Sequence, residues 1–118
     1  LDGAHNPDGA MELAKSIEKY FSGKKIAFIC GCFKDKEYEK ITEITSHYAN
    51  KVFCVKAPTT RGLNPEILCD AFLRNGADAT VSPSLKDAIN EANKYENVII
   101  FGTLSILHDA KEIIEGIK

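Results

Sequence analysis

Short apolar segments alternate along this chain with longer segments whose apolar residues recur every three or four positions. Residues 25–31, 51–56, 78–81 and 97–102 have strand length, and the first of them is apolar throughout rather than at alternate positions. A strand of that kind is covered on both faces, which is typical of a parallel sheet. The intervals have helical periodicity, so the strands are joined by crossovers of helix length.

Capping residues support this division. Asn6 and Asn64 each precede a proline, the pattern of a helix N-cap followed by proline at the first helical position. Ser84 with Asp87 resembles a capping box. Four strands and five helices in alternation predict an open, doubly wound, mostly parallel α/β sheet of Rossmann-like type, with helices on both faces. The predicted helices cover residues 7–21, 38–48, 65–74, 84–94 and 104–117.

Composition excludes several functional classes. The 118 residues suit a single domain, and 44% hydrophobic with 27% charged residues is typical of a globular protein. A net charge of -2 gives no electrostatic reason to expect binding to nucleic acid or to an anionic membrane. The apolar runs are too short to cross a bilayer, and the first residues do not read as a secretory leader. A cytoplasmic protein is therefore expected.

Four cysteines stand at positions 30, 32, 54 and 69. Cys30, Cys54 and Cys69 fall in apolar segments, where free cysteine behaves as a small hydrophobic residue. The spacing of Cys30 and Cys32 is tighter than the CxxC spacing of redox and zinc sites. Reduced, buried thiols are therefore favoured over a metal site or disulfides.

In sheets of this type, ligands bind beyond the carboxyl ends of the strands, so the loops at 2–6, 31–36 and 102–103 are candidate binding elements. Asp2 has the chemistry to accept hydrogen bonds from ribose hydroxyls, and His5 could donate to a phosphate or carboxylate. The helix that begins after Asn6 favours an anion at its N-terminus. Alternatively, Asp2 only forms a turn, His5 lies on the surface and Asn6 only caps the helix.

Other polar residues carry weaker signals. Thr103 follows an apolar strand and could contact a ligand, but it is equally suited to cap the last helix. Arg61 could bind an anion, and residues 34–36 could contact phosphate or a partner, although a solvated loop is the simpler interpretation. His47 and His108 are expected at the surface or at the edge of the core, and not in catalysis. The sequence contains neither a GxxxxGK[ST] phosphate loop nor a GxGxxG turn, a GxSxG elbow or an HExxH motif.

The segment LDGAHNP at 1–7 closely resembles the signature of the folylpolyglutamate synthase and dihydrofolate synthase family, a branch of the Mur ligases. Gly3 favours the folate branch, because the related amino-acid ligases more often have tyrosine there. The likeness continues in KDKEYEK at 34–40 and TTRGLNPEIL at 59–68. The GTL turn at 102–104 is similar to the family's GSL turn, with threonine in place of serine.

This resemblance implies that residues 1–118 form the single, carboxy-terminal glutamate-ligase domain of a longer enzyme. The family's amino-terminal ATPase domain, which carries the phosphate loop and the magnesium ligands, is absent from this sequence. Only the last residue or two of a strand precede the first helix, which agrees with a fragment. The family uses ATP and magnesium to join L-glutamate to a folate carboxylate through an acyl phosphate, and the isolated fragment is expected to be inactive.

The resemblance also implies roles for individual residues. Asp2 corresponds to a residue that contacts the ATP ribose or phosphate region. His5, with Asn6 beside it, corresponds to a catalytic residue at the nucleotide and glutamate site between the domains. Thr103 corresponds to a serine that helps to hold the incoming glutamate. The segment 34–37 is expected at the rim of the cleft without an assigned role.

Two other interpretations remain open at this point. The chain could be the corresponding domain of a Mur-type ligase that acts on another amino acid. It could also be a non-catalytic α/β module that binds a small anion or a partner protein. An upstream reading frame carrying a phosphate loop would exclude the non-catalytic module.

Overall fold

A computed structural model describes residues 6–58 and 60–102. Within these residues a four-stranded sheet has the order β3-β2-β1-β4, and every neighbouring pair is parallel. The predicted parallel sheet is therefore confirmed. The strands are β1 (Ile26–Cys30), β2 (Lys51–Cys54), β3 (Ala79–Val81) and β4 (Asn97–Phe101).

Helices occupy the intervals between the strands, as predicted. The second of them tightens into a 3₁₀ turn at Ser46–Tyr48 instead of continuing as an α-helix. The predicted helix at 104–117 lies outside the described residues. Among the helices that the structure describes, none is long and apolar enough to span a membrane. The α-helices of the described residues are α1 (Pro7–Tyr20), α2 (Tyr38–Thr45), α3 (Pro65–Arg74) and α4 (Leu85–Ala92).

Side chains cap three of these helices where the sequence indicated. The Oδ1 atom of Asn6 accepts the Gly9 N–H at 2.8 Å at the start of α1. At the start of α3, Asn64 Oδ1 accepts a backbone N–H at 2.9 Å. Ser84 Oγ accepts the Asp87 N–H at 3.1 Å at the start of α4. Each bond satisfies one of the N–H groups that have no partner within the helix.

The sheet is covered on both faces, because successive residues of a strand point to opposite sides. In β1, Phe28 belongs to one apolar cluster and its neighbour Ile29 to the other. α1, α2 and α3 pack on the first face, whereas α4 packs on the second. Phe28 meets Phe101 of β4 edge to face, with ring centroids 5.0 Å apart. This arrangement confirms the doubly wound architecture.

The direction of winding reverses once in the described sheet. The chain moves outward from β1 through β2 to β3, with α2 and α3 on one face, and then returns to the other side of β1 as β4. α4, which makes this return, lies on the opposite face. Right-handed crossovers require that change of face when the direction reverses. The carboxyl ends of β1 and β4 therefore flank the topological switch point of the sheet.

Two glycines stand at this switch point. Gly31 follows β1 and donates its N–H to the carbonyl of Phe101 at 3.3 Å. Gly102 follows β4 with φ of +119°. A Cβ atom at Gly102 would lie 2.1 Å from the carbonyl oxygen of Gly31, far inside van der Waals contact. The two backbones can approach this closely because position 102 has no side chain.

All four cysteines are buried and free. Cys30 and Cys54 are at the ends of adjacent strands, and the thiol of Cys54 contacts that of Cys69 on α3. Burial is the largest cause that raises the pKa of the Cys30, Cys54 and Cys69 thiols. These thiols therefore stay protonated at neutral pH and act as core side chains, as expected from the sequence.

The replacement Gly102→Ala is expected to lower the free energy of unfolding by about 3 kcal/mol or more, because a positive φ and a backbone clash act together. Urea denaturation followed by circular dichroism measures this. Gly23→Ala is the matched control, because Gly23 also has a positive φ, of +78°, but open space around the added methyl. Equal losses in the two variants would contradict the close approach at the switch point.

The native thiols are expected to react with Ellman's reagent at about pH 8 at least roughly 100-fold more slowly than those of the unfolded chain, because all four are buried and burial raises the pKa of Cys30, Cys54 and Cys69. The absorbance of the released thiolate dye follows the reaction with and without guanidinium chloride at about 6 M. Fast release of one equivalent from the folded protein would show that a thiol is exposed and activated.

Candidate functional site

The candidate site lies at the carboxyl edge of the sheet, beside the switch point between β1 and β4. Open α/β sheets bind ligands in the crevice that forms where neighbouring crossovers leave on opposite faces. Here the crevice begins at Gly31 and Gly102, which both lie within this edge and are both buried. The backbones of these two glycines approach closely, with the Gly31 N–H donating to the Phe101 carbonyl at 3.3 Å.

Asn6 is at the same edge. α1 ends at Tyr20, and the short segment 21–25 leads into the amino end of β1. α1 therefore runs antiparallel to β1, and its 14 residues span about 21 Å at 1.5 Å per residue. That length returns the start of α1 to the level of the carboxyl ends of the strands. The Gly9 N–H donates to the side-chain Oδ1 of Asn6, so a contact between this side chain and a ligand would fall to its NH2 group.

The remaining predicted site residues are Asp2, His5 and Thr103. All of them lie outside the described residues, so their roles stay predictions. In sequence, His5 directly precedes Asn6 and Thr103 directly follows Gly102. The structure therefore describes Asn6, the neighbour of His5, and Gly102, the neighbour of Thr103. Both of these neighbours lie at the carboxyl edge of the sheet.

Two loops of this edge are joined in a way that the sequence analysis did not find. Phe33 and Gly62 form an isolated antiparallel bridge between the loop after β1 and the loop before α3. The Arg61 side chain donates from Nη2 to Oδ2 of Asp35 at 2.9 Å. Desolvation alone would raise the pKa of Asp35, but a backbone hydrogen bond and the Arg61 guanidinium outweigh it and lower that pKa. Asp35 is therefore a carboxylate at neutral pH.

A groove at the opposite edge is a weaker candidate. It has a volume of about 310 Å³ and includes His47, Tyr48 and Asn50 in its lining. The Tyr48 hydroxyl donates to Glu18 Oε1 at 2.6 Å, and Asn50 Oδ1 accepts the Ile26 N–H at 2.8 Å. The hydrogen bond to Glu18 is the main reason that the pKa of Tyr48 is raised. Tyr48 and Asn50 therefore already use polar groups in hydrogen bonds within the fold. His47 is exposed, as predicted.

The described residues offer no metal site. Within 6–58 and 60–102, no three side chains of histidine, cysteine, aspartate or glutamate come together in a cluster that could hold a metal ion.

Comparison with known proteins identifies the domain family. The family described as "Mur ligase, glutamate ligase domain" matches residues 1–104. A protein of Haloferax volcanii named "Probable bifunctional folylpolyglutamate synthase/dihydropteroate synthase" is 30% identical over 116 residues, which cover 94% of this chain and 14% of that protein. The chain thus spans about one seventh of the length of this curated relative.

Solved structures show the same fold. Thermotoga maritima folylpolyglutamate synthase is 26% identical, with a TM-score of 0.85 over 100% of this chain and 28% of its own. The Escherichia coli FolC structure "in complex with DHPP and ADP" has a TM-score of 0.89 at 18% identity, over 98% of this chain and 28% of its own. By sequence and by fold, the chain belongs to the Mur ligase family and is its carboxy-terminal, glutamate ligase domain.

Proposed function

We propose that this chain is the carboxy-terminal domain of an ATP-dependent folate–glutamate ligase, a folylpolyglutamate synthase or dihydrofolate synthase. The observation that carries the proposal is the position of Asn6. It belongs to the LDGAHNP signature, and it caps α1 at the sheet edge that also holds the switch-point crevice. The relatives named above as folylpolyglutamate synthases support the folate branch.

The proposed reaction proceeds in two steps. A folate carboxylate attacks the γ-phosphate of ATP, which forms an acyl phosphate and releases ADP. The amine of L-glutamate then attacks the acyl carbon, forms an amide and releases phosphate, while the amine loses a proton. Because water would hydrolyse the acyl phosphate, closing the crevice against a second domain would protect it.

In this proposal the first residues of the chain contact the nucleotide. Asp2 accepts hydrogen bonds from the ATP ribose, and His5 acts at the junction of nucleotide and glutamate, with the Asn6 amide beside it. The start of α1 supports a negative charge there, because its first N–H groups and its dipole favour an anion. Thr103 binds the incoming glutamate through its hydroxyl group.

An amino-terminal domain of the same protein would supply the rest of the site. This sequence contains no phosphate loop, and the described residues form no metal cluster. From the resemblance to the family, and because the chain spans only 14% to 28% of these relatives, we propose that an amino-terminal domain carries the phosphate loop and the magnesium ligands and closes over the carboxyl edge. The complete protein would then bind ATP, magnesium, a folate and L-glutamate in the cytoplasm.

The complete protein is expected to add glutamate to a folate in the presence of ATP and magnesium, whereas the 118-residue chain alone is expected to have no ligase activity. Mass spectrometry of the folate product and release of phosphate measure the reaction. Robust ligation by the isolated chain would contradict the division of the site between two domains. Transfer of a different amino acid in place of glutamate would assign the protein to another branch of the Mur ligases.

In the complete protein, Asp2→Ala and His5→Ala are each expected to lower kcat/KM by about 100-fold or more, because the first removes a contact that binds the nucleotide and the second removes a group proposed to act in the transition state. His47→Ala and Asp70→Ala are matched controls, because both residues are exposed and lie outside the proposed site. Steady-state rates measured with saturating folate compare the two site variants and the two controls with the wild-type protein. Wild-type rates for both site variants would refute the assigned roles.

A further inference from the structure

Two loops at the carboxyl edge are fastened to each other by their backbones. The Lys34 N–H donates to the Arg61 carbonyl at 2.7 Å, and the Leu63 N–H donates to the Cys32 carbonyl at 2.8 Å. The bridge between Phe33 and Gly62 lies between these two hydrogen bonds. We call this unit, residues 32–35 with 61–63, the rim staple.

Side chains also connect the two loops of the rim staple. The Arg61 guanidinium lies over the Phe33 ring, 4.6 Å from its centroid, and bonds Asp35 on the same loop. One side chain of the second loop thus holds two side chains of the first. The Arg61 and Asp35 side chains are both 59% exposed, and exposed ion pairs of this kind add little to overall stability.

The location of the rim staple indicates a role at the candidate site rather than in overall stability. Residues 32–35 of the rim staple follow Gly31 and so begin at the switch point. Residues 61–63 end at Leu63, just before the cap of α3. A loop that is tied only at its ends samples many conformations, whereas two paired loops hold one. Binding sites need such fixed walls, because displacements of about 1 Å can slow a reaction by about 100-fold.

We propose that Asp35 and Phe33 are positioning residues, which act through Arg61 to hold the loop beside the crevice in the shape that ligation requires. This inference rests on the proposed function. Neither residue touches the reacting atoms, and neither exchanges a proton with them. Their effect is to limit the conformations of residues 32–35.

The test uses the complete protein and the variant Asp35→Asn, which keeps the shape of the side chain and removes its charge. Asp70→Asn is the matched control, because Asp70 pairs with Arg74 at 3.1 Å on the exposed face of α3, with similar exposure and the same residue types. We expect Asp35→Asn to lower kcat/KM for glutamate by about 10-fold, with KM for ATP within about twofold of wild type. The control should match wild type in both constants.

Hydrogen–deuterium exchange gives a second measurement that does not depend on activity. Peptides covering 32–36 and 61–63 should exchange faster in Asp35→Asn and in Phe33→Leu than in the control, while the melting temperature of Asp35→Asn stays equal to that of wild type. Exchange of the amides of Lys34 and Leu63 reports directly on the two hydrogen bonds between the loops. Unchanged exchange in both variants would overturn the proposal.

The double variant Asp35→Arg/Arg61→Asp distinguishes positioning from direct contact with a ligand. It restores an ion pair across the rim staple with the charges exchanged, but not the contact between Arg61 and the Phe33 ring, so a positioning role predicts recovery of part of the activity lost in Asp35→Arg. A melting temperature equal to that of wild type shows that the double variant is folded. No recovery in the folded double variant would overturn the positioning role and favour contact between Arg61 and substrate.

The two proposals fail in different ways. If the wild-type protein does not ligate glutamate, the proposed function is refuted and the positioning role with it. If the wild-type protein ligates glutamate and Asp35→Asn behaves like Asp70→Asn, only the positioning role is refuted.

Discussion

The contact between the backbones at Gly31 and Gly102 is the constraint on which the rest of the carboxyl edge depends. A Cβ atom at position 102 would overlap the Gly31 carbonyl, so the ends of β1 and β4 meet as they do only because a side chain is missing. The loop after β1 departs from this point, and so does the chain after β4. Main-chain packing thus fixes how the carboxyl ends of β1 and β4 meet, before any polar side chain contributes.

The sheet itself was largely predictable, because its signals are local. Continuous apolar runs identified the strands, and Asn6, Asn64 and Ser84 identified the starts of helices. The prediction extended the second strand to residue 56, whereas β2 ends at Cys54. Val55 and Ala57 remain buried after they leave the sheet, so hydrophobicity marks burial there and not strand pairing.

The end of the second predicted helix shows a similar limit. The spacing of apolar residues continues to Tyr48, but the last turn is a 3₁₀ turn. Over a single turn, the α and 3₁₀ periods of 3.6 and about 3 residues place side chains on nearly the same face. Thr45 Oγ1 also donates to the Ile41 carbonyl at 2.8 Å, and such bonds compete with regular helix geometry.

The candidate site was predictable only in part. The general rule for parallel sheets places it at the carboxyl edge, and the structure puts Asn6 and Gly102 there. The order of the strands, and with it the switch point, depends on tertiary packing that no local pattern encodes. The pairing of Arg61 with Asp35 joins residues 26 positions apart, in loops whose sequences carry no sign of each other.

The sheet order also has a consequence for how the domain folds. β1 and β2 are joined by a short crossover, whereas β4 reaches β1 only after the rest of the described chain, with Lys25 and Asn97 bonded across 72 positions. Closing so long a loop costs more entropy than closing the short ones, and non-local pairings slow folding. The edge between β1 and β4 therefore cannot form until β4 has been synthesised, after β1, β2 and β3.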